Sequence, residues 1–371
     1  PHAEKKKKKA TFCLNGTTVS ASKKKKKKLL KQGATSGACA PTPACTRRTW
    51  TAQSPFGTTG SGSGQFNFPS GLVRSADNRT LWIADAVNAR IAVWTRADDN
   101  ASWTQATTFG SGPGTGPSQF SNAYGLAVSP DGRTVWVGDG SNNRISVWTR
   151  PNADSTAWSN QTTFGSGPGA GPTQFQFPKG VAASREGLTV FVADYVNSRI
   201  SVWSRGSASS TTWNHETTFG SNGSATNQFN GPASVVAAAD GLTVWVSEYF
   251  NNRISVWARP NPSSTTWINQ TTFGSPGSAA HQLNGPGQAA LSPDELTIWI
   301  TDRNNNRISV WSRPNAGSDA WSPVGTFGSL GVRPTELQDP NGVAVSSDGL
   351  TIWVGDTEND RIAVWANACT S

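Results

Sequence analysis

Long apolar runs and histidine are scarce in this 371-residue chain, and each scarcity excludes a class of protein. No stretch approaches the roughly 18 consecutive apolar residues that a membrane helix needs, so we expect no membrane insertion. The chain has three histidines, His2, His215 and His281, and no two of them have the spacing of metal ligands. The sequence therefore predicts no metal site and no cofactor.

Lysine is almost confined to two homopolymer runs, at residues 5–9 and 23–28, and only Lys31 and Lys179 lie outside them. Residues 1–45 carry 12 Lys and one Glu, a net charge of +11, whereas the remainder carries 19 Arg and one Lys against 22 acids, a net charge of −2. The runs have three interpretations: a basic arm for an anionic partner, a solvated tail, or lysines standing in for unidentified residues. We favour the third. The nearly neutral remainder argues against binding of nucleic acid.

One motif, an acid followed by Asn at the third and Arg at the fifth position after it, recurs six times. Successive copies begin 54 or 55 residues apart. The six acid–arginine pairs are Asp85/Arg90, Asp139/Arg144, Asp194/Arg199, Glu248/Arg253, Asp302/Arg307 and Asp356/Arg361. Six copies in register indicate a single repeat architecture.

Each copy has the pattern of an antiparallel sheet. The segment 125–128 is apolar, and the turn Asp131–Gly132 separates it from a second strand rich in β-branched and aromatic residues. A third strand, at 144–148, alternates polar and apolar residues, and a fourth leads from Trp158 to Phe164. All 17 tryptophans occupy fixed places on the second, third or fourth strand, which indicates packing between repeats rather than carbohydrate platforms.

The repeat resembles the NHL repeat over about residues 50–371. The resemblance rests on segments such as Phe109-Gly110-Ser111, Val137-Gly138-Asp139 and Asn142-x-Arg144-Ile145. It implies an all-β fold, a six-bladed β-propeller, in which the acid–arginine pairs are structural and tie adjacent hairpins together. It also implies that any enzymatic site would lie at the central channel, where lyases and lactonases of this kind place His, Glu, Asp or a metal.

The count of strands predicts how the ring closes. The sixth copy ends at Trp365 without a fourth strand, while residues 50–56 form a fourth strand without a blade, so the N-terminal strand must complete the C-terminal blade. Cys45 and Cys369 lie where a disulfide would replace the missing chain link, which leaves Cys13 to pair with Cys39. The alternative is four free thiols. Disulfides predict an extracellular or cell-surface protein.

Residues 1–45 are expected to form a separate, irregular arm bearing the second disulfide, ahead of a propeller at 46–371. The arm is similar to a short cysteine-bounded module of bacterial surface proteins. Six N-x-Ser/Thr sequons permit glycosylation but do not argue for it, because about that number arises by chance in such a composition. They are at Asn15, Asn78, Asn100, Asn160, Asn222 and Asn269.

The channel-entry positions look too varied for a convergent catalytic set. They hold Ser70, Tyr124, Lys179, Ala233, Gly287 and Asn341. The first hypothesis is therefore a non-catalytic extracellular structural protein, a subunit of a filament or layer that self-associates through residues 1–45. The alternatives are a secreted lyase- or lactonase-like enzyme using the channel, or an adhesin that binds carbohydrate or protein through aromatics such as Tyr195 or Tyr249.

Overall fold

The computed structural model describes residues 10–14, 17–21, 35–36 and 48–369, with side chains from 49 to 367. The chain divides into two compact units, Trp50–Ala366 and a second comprising Pro1–Thr49 with Asn367–Ser371. None of the helices in the described part is long and apolar enough to cross a membrane.

The described part of the N-terminal arm is a small sheet. Its strands are β1 (Ala10–Leu14), β2 (Thr17–Ala21) and β3 (Thr35–Ser36), in the order β2-β1-β3, and both pairings are antiparallel. The prediction of an irregular arm is therefore wrong for these residues. The physical reason lies in their composition, since the two longer strands are rich in threonine, valine and phenylalanine, which favour extended backbone.

The propeller consists of short strands, nearly all of six residues. Strands β4–β6, which precede the first blade, are Arg48–Phe56, Thr58–Thr59 and Gln65–Phe66. Strands β7–β10 (blade 1) are Pro69–Arg74, Thr80–Asp85, Arg90–Thr95 and Thr104–Phe109, and β11–β14 (blade 2) are Ala123–Val128, Thr134–Asp139, Arg144–Thr149 and Ser159–Phe164. Strands β15–β18 (blade 3) are Pro178–Ala183, Thr189–Asp194, Arg199–Ser204 and Asn214–Phe219, and β19–β22 (blade 4) are Pro232–Ala237, Thr243–Glu248, Arg253–Ala258 and Ile268–Phe273. Strands β23–β26 (blade 5) are Pro286–Leu291, Thr297–Asp302, Arg307–Ser312 and Ser322–Phe327, and β27–β29 (blade 6) are Pro340–Val345, Thr351–Asp356 and Arg361–Cys369. Single 3-10 turns occur at Gly140–Asn142, Arg303–Asn305 and Thr357–Asn359.

The predicted all-β, six-bladed propeller is confirmed. Each blade is a four-stranded antiparallel sheet, and its first strand contacts the first strands of both neighbouring blades, so that β7, β11, β15, β19, β23 and β27 form a closed inner ring. Blade 6 has the order β27-β28-β29-β4, so the N-terminal strand completes it. Closure of this kind leaves no unpaired edge inside the ring.

Tryptophan and arginine pack together between neighbouring blades. The Arg150 guanidinium lies 5.6 Å from the ring centroid of Trp82 in blade 1 and 5.0 Å from that of Trp158 in its own blade. The two indoles meet edge to face. Arg96, Arg205 and Arg313 lie between two tryptophans in the same way, and Arg259 lies over Trp267. The tryptophans are thus packing residues of the blade interfaces, stabilised by cation–π contacts.

The repeated acid of each blade is completely buried and paired with the repeated arginine. Asp139 accepts hydrogen bonds from the backbone N–H of Ser121 (2.7 Å), from Asn142 Nδ2 (2.8 Å) and from Arg144 Nε (2.8 Å). The Arg144 guanidinium also donates to three carbonyls of the linker that leads into the blade. The acid–arginine distances are 2.7 Å for Asp85–Arg90, 2.8 Å for Asp139–Arg144 and Asp194–Arg199, 2.9 Å for Glu248–Arg253, and 2.7 Å for Asp302–Arg307 and Asp356–Arg361. Each pair fastens a hairpin to the linker before it.

Neighbouring blades are also joined by a hydrogen bond that the sequence did not reveal. The residue before the third strand is left-handed in every blade, and in four blades its side-chain oxygen accepts the backbone N–H that precedes the next blade's first strand. Asn143 Oδ1, for example, accepts from the N–H of Phe177 at 2.9 Å. In the same way, the backbone N–H groups of Gly285, Asp339 and Phe68 donate to the Oδ1 atoms of Asn252, Asn306 and Asp360, respectively. These bonds hold the loops around one mouth of the channel in place.

Candidate active site

One mouth of the channel collects residues from two places in the repeat. In every blade the start of the first strand pairs with the repeated acid at the end of the second, as Pro178 does with Asp194. The second residue of the first strand therefore lies at the same end as the residue after the acid. In blade 3 these two residues are Lys179 and Tyr195. We call this end the upper mouth.

The inner strands approach one another closely below the upper mouth. At the next position of the inner strands, four blades have glycine, and a Cβ on Gly71 would lie 2.1 Å from the carbonyl oxygen of Tyr124. Gln288 occupies this position in blade 5 and reaches across the ring. Its Oε1 accepts from the backbone N–H groups of Leu72 (3.1 Å) and Val343 (3.2 Å), and its Nε2 donates to the Leu72 carbonyl (3.1 Å). Gln288 therefore narrows the channel between the upper mouth and the other end of the ring.

The chain has only three tyrosines, and all three surround the side chain of Lys179. Lys179 Nζ lies 5.0 Å from the ring centroid of Tyr195, 5.5 Å from that of Tyr124 and 5.6 Å from that of Tyr249. The rings come from blades 2, 3 and 4, and Lys179 is only 8% exposed. Burial, and next the charge of Arg303, lower the pKa of Lys179 to about 7, although Asp339 partly offsets them. Near neutral pH the amine is therefore present in both protonation states.

Two polar groups in residues that line a small cavity have no hydrogen-bond partner among the described residues. One is the Lys179 amine, and the other is Asn341 Nδ2, whose side chain is 5% exposed. Both residues line a cavity of about 20 Å³, together with Ser234 and Gln288. That volume holds about one water molecule. Because buried polar groups are normally satisfied, two unpartnered nitrogen groups in residues that line such a cavity indicate a place for a water or a ligand oxygen.

An ion pair forms the wall of the mouth opposite Tyr195. Arg303 follows the repeated acid of blade 5 and binds Asp339 with two hydrogen bonds, Nε to Oδ1 at 2.8 Å and Nη2 to Oδ2 at 2.6 Å. Its guanidinium lies 5.6 Å from the ring centroid of Tyr249, the same distance as Lys179 Nζ. The two hydrogen bonds to Asp339 hold the Arg303 guanidinium in place and pair its charge with that of the carboxylate.

Aromatic rings line the half of the upper mouth that belongs to blades 2 to 4. In sequence around the mouth, the centroid distances are 5.4 Å from Tyr124 to Phe177, 6.3 Å from Phe177 to Tyr195, 6.0 Å from Tyr195 to Phe250 and 5.1 Å from Phe250 to Tyr249. We call these five residues the aromatic arc. Phe177 has a φ of 57°, a left-handed conformation that costs a non-glycine residue about 1–2 kcal/mol. The residue before the first strand is left-handed in all six blades, so this conformation belongs to the blade architecture.

The lower mouth has a different chemistry. It is a basin of about 410 Å³ whose lining is apolar apart from Arg74, Ser129 and Gln288. Within the described part of the chain, no three His, Cys, Asp or Glu side chains come together as a metal-binding group. The upper mouth is therefore the place where titratable and hydrogen-bonding groups converge.

The predicted disulfide residues lie outside the described side chains. Cys13 falls in strand β1 and Cys369 in strand β29, where only the backbone is described, and Cys39 and Cys45 fall in segments that are not described. Both pairings stay predictions, as does the interpretation of the lysine runs.

The sequons occupy different surroundings. The side chains of Asn100 and Asn222 are exposed. Asn78 Nδ2 donates to Ser347 Oγ at 3.0 Å, and Asn160 Nδ2 donates to Ser146 Oγ at 2.8 Å. Asn269 Nδ2 is buried, and Asn15 lies outside the described residues. Among the described sequons, Asn100 and Asn222 thus offer the freest amide nitrogens for a glycan.

Sequence reasoning named most of the channel-entry positions but missed the cluster. Tyr195, Tyr249 and Arg303 follow the repeated acid, and they join Tyr124 and Lys179 from the inner strands only because the strands of a blade are antiparallel. A signal was present in the sequence. All three tyrosines and the one propeller lysine occupy either the second residue of the first strand or the residue after the repeated acid, and these two repeat positions lie at the same end of the sheet.

Comparison with protein families identifies the relatives of this fold. The profile described as "Lactonase, 7-bladed beta-propeller" matches residues 51–277, more than half of the chain. The chain belongs to this lactonase family. The NHL repeat profile matches residues 337–365, which confirms the resemblance seen in the repeat. This member has six blades, because six copies of the repeat fill its ring. No curated protein matches the chain.

Solved structures show the same fold at low identity. The periplasmic gluconolactonase PpgL of Pseudomonas aeruginosa is 17% identical, with a TM-score of 0.56 over 86% of this chain and 92% of that one. A putative 6-phosphogluconolactonase from Bacteroides uniformis is 16% identical, with a TM-score of 0.53 over 98% and 89%. Hydrazine synthase of Kuenenia stuttgartiensis is 13% identical, with a TM-score of 0.54 over 84% and 99%. Similarity at this level shows the propeller fold alone.

The lactonase family match overturns the prediction of a non-catalytic protein. That prediction rested on the sixfold symmetry of the acid–arginine pairs and on the variety of the channel-entry residues. The acid–arginine pairs are indeed structural parts of the blades. The variety of the channel-entry residues, however, makes the upper mouth asymmetric, because a lysine, three tyrosines, an arginine and an asparagine come together there. The reasoning failed because it compared one repeat position at a time.

Proposed function

We propose that this chain hydrolyses a lactone, a cyclic ester, at the upper mouth of the propeller. The observation that carries the proposal is the buried Lys179 amine, which has a pKa of about 7 and belongs to a residue that, with Asn341, lines a cavity for one water. Asn341 Nδ2 has no hydrogen-bond partner among the described residues. A general base is most effective when its pKa lies near the working pH. The family match and the gluconolactonase among the structural neighbours support a sugar-derived lactone as the substrate.

The arrangement suits water attack on an ester carbonyl. The neutral Lys179 amine takes a proton from the cavity water as the water oxygen bonds to the carbonyl carbon. Asn341 Nδ2 donates a hydrogen bond to the oxyanion that forms and so stabilises it. The ring C–O bond then breaks, and the leaving alkoxide takes a proton from the Lys179 ammonium, which becomes neutral again. The product is an open-chain hydroxy acid, whose carboxyl proton passes to solvent.

Lactone hydrolysis releases acid, so a pH-stat measures it directly on glucono-δ-lactone. We expect the enzymatic rate to rise with pH through about 7 as Lys179 loses its proton. Lys179→Met should lower kcat about 100-fold or more, because general acid–base catalysis contributes about 10²–10⁴-fold. Asn341→Ala should lower it about 10-fold or more through loss of an oxyanion donor. The control is His281→Gln, an exposed residue in a linker. A wild-type rate equal to the buffer rate, or equal rates for wild type and Lys179→Met, would refute the proposal.

We also propose that the chain works outside the cytoplasm. Two observations support this location: the four cysteines, which suit an oxidising compartment, and the periplasmic origin of the gluconolactonase neighbour. Mass spectrometry of the native protein before and after reduction would test it. Two disulfides are expected, and four free thiols in protein purified under thiol-blocking conditions would contradict the proposal.

The N-terminal arm supports a second proposal, self-association by strand addition. Strand β2 (Thr17–Ala21) is at one edge of the small sheet and pairs only with β1 among the described strands. An exposed edge can accept a strand from another copy of the chain. In an antiparallel pair the N–H groups point alternately toward and away from the neighbour, so of two adjacent residues only one offers its N–H to a new strand.

Proline scanning of β2 distinguishes assembly from damage to the fold. Thr18→Pro and Val19→Pro each remove one N–H, and we expect only the variant whose N–H points away from β1 to abolish assembly while leaving the propeller intact. Light scattering and electron microscopy of the full chain report the assembly. A wild-type chain that remains monomeric at high concentration would refute this proposal and leave the lactonase proposal unaffected.

A further inference from the structure

The aromatic arc continues outward beyond the cavity that holds the proposed chemistry. Phe250 occupies the second position after the repeated acid of blade 4, and its side chain is 56% exposed. The ring is nevertheless fixed from behind. A Cβ on Gly231 would lie 2.6 Å from Phe250 Cδ2, so the ring packs directly against the Gly231 backbone, and it contacts Tyr195 and Tyr249 at its sides. Phe250 thus presents a flat apolar ring, fixed in orientation by its neighbours, to solvent.

Hydrogen-bonding side chains stand on the other side of Tyr249. Tyr249 Oη donates to Asn304 Oδ1 at 3.4 Å, and Asn304 Nδ2 donates to Asn284 Oδ1 at 3.0 Å. Asn304 occupies in blade 5 the repeat position that Phe250 occupies in blade 4. The surface outside the cavity therefore changes from one blade to the next, from the exposed Phe250 ring to the exposed amide of Asn304 and the half-buried amide of Asn284.

We propose that this outer surface binds a second sugar ring, so that the preferred substrate is an aldonolactone that carries a glycosyl residue. A pyranose has an apolar face of C–H groups and a rim of hydroxyls, which match a flat ring beside exposed amides. A lactone with a purely apolar substituent, such as an alkyl chain, would make no hydrogen bonds with Asn304 and Asn284. This inference rests on the proposed function for its reaction but not for the binding surface itself.

Val87 provides a matched control for Phe250. It occupies the same repeat position in blade 1 and is 57% exposed, yet the residue before it, Ala86, is not aromatic. Val87→Ala therefore removes a similar exposed apolar side chain from the same kind of turn without touching the aromatic arc.

Kinetics on two lactones test the proposal. The wild type should show a kcat/KM at least 10-fold higher for the lactone of an oxidised β-1,4-linked glucose disaccharide than for glucono-δ-lactone. Phe250→Ala should lower kcat/KM about 10-fold more on the disaccharide lactone than on the monosaccharide lactone, the equivalent of about 1.4 kcal/mol of lost stacking. Val87→Ala should change neither. Equal effects of Phe250→Ala on both lactones, or a preference for a γ-lactone with an alkyl chain, would overturn the inference.

Binding of the unreactive disaccharide separates this inference from the proposed function. Calorimetry or NMR titration with the open-chain disaccharide acid needs no turnover. Binding that Phe250→Ala weakens and Val87→Ala preserves would support the sugar surface even if no lactone were hydrolysed. Hydrolysis of lactones without any such binding would leave the proposed function intact and overturn the inference.

Discussion

Replacement of Lys179 by methionine makes the folding stability of this protein respond differently to pH. Methionine has about the length of lysine without its charge, so Lys179→Met retains most of the packing among the three tyrosines. In the folded wild type the amine has a pKa of about 7, lowered from 10.5 first by burial. Between these two values the unfolded chain binds a proton that the folded chain does not. The free energy of unfolding of the wild type therefore rises with pH across this window.

The size of the effect follows from the difference between the pKa of Lys179 in the folded chain and its ordinary value. A tenfold change in an acid dissociation constant corresponds to about 1.4 kcal/mol, so the full difference between the acid and alkaline limits is about 5 kcal/mol. Between pH 7 and pH 9 the wild type should gain about 2 kcal/mol relative to Lys179→Met, and below about pH 6 the difference should be constant. We expect the variant to be the more stable protein at pH 6, because it no longer buries a protonated amine.

Urea unfolding followed by tryptophan fluorescence measures both proteins at pH 6, 7, 8 and 9. All other titrating groups are common to the two chains, so the difference in unfolding free energy isolates Lys179. Titration of the labelled Lys179 Cε by NMR gives its pKa independently. Parallel stability curves for wild type and variant, together with a pKa near 10.5, would show that the amine is solvated and would remove the physical basis of the proposed mechanism.

Three further predictions concern the scaffold that holds the site. Asn143→Ala removes the acceptor of the Phe177 N–H and should destabilise the protein by about 1–2 kcal/mol in urea unfolding, whereas Asn100→Ala, on the exposed surface, should not. Gly71→Ala brings a Cβ within 2.1 Å of the Tyr124 carbonyl oxygen and should lower the free energy of unfolding by about 3 kcal/mol or more. Gly325→Ala, whose new Cβ would have no atom within 4 Å, should leave the melting temperature almost unchanged. Equal effects would mean that the inner strands are not in tight contact. Phe177→Asn replaces a left-handed phenylalanine by a residue that tolerates this conformation, so it should lower stability by less than Phe164→Asn, in which a buried ring is lost. It should nevertheless reduce lactone turnover. Unchanged turnover would show that Phe177 has no part in the site.

The blade architecture could be predicted because its signals are local and repeated. The interval of 54 or 55 residues, the Asp-Gly turn after the first strand and the alternation in the third strand each specify one element, and six copies reinforce one another. The ring closure followed from counting strands. The arm was harder to predict, because the lysine runs interrupt its pattern, and its short strands showed no repeat against which to compare them.

The candidate site depended on the tertiary structure for a physical reason. Lys179, Tyr249 and Arg303 lie far apart in the chain and at two different repeat positions, and they come within a few ångströms of one another only when the ring closes. Burial then lowers the pKa of Lys179, and no single repeat contains the information that three other blades will bury it. The sequence by itself determined a six-bladed propeller closed by its first strand. The tertiary structure decided which of its unrepeated residues meet, because only the closed ring brings the starts of the inner strands to one point.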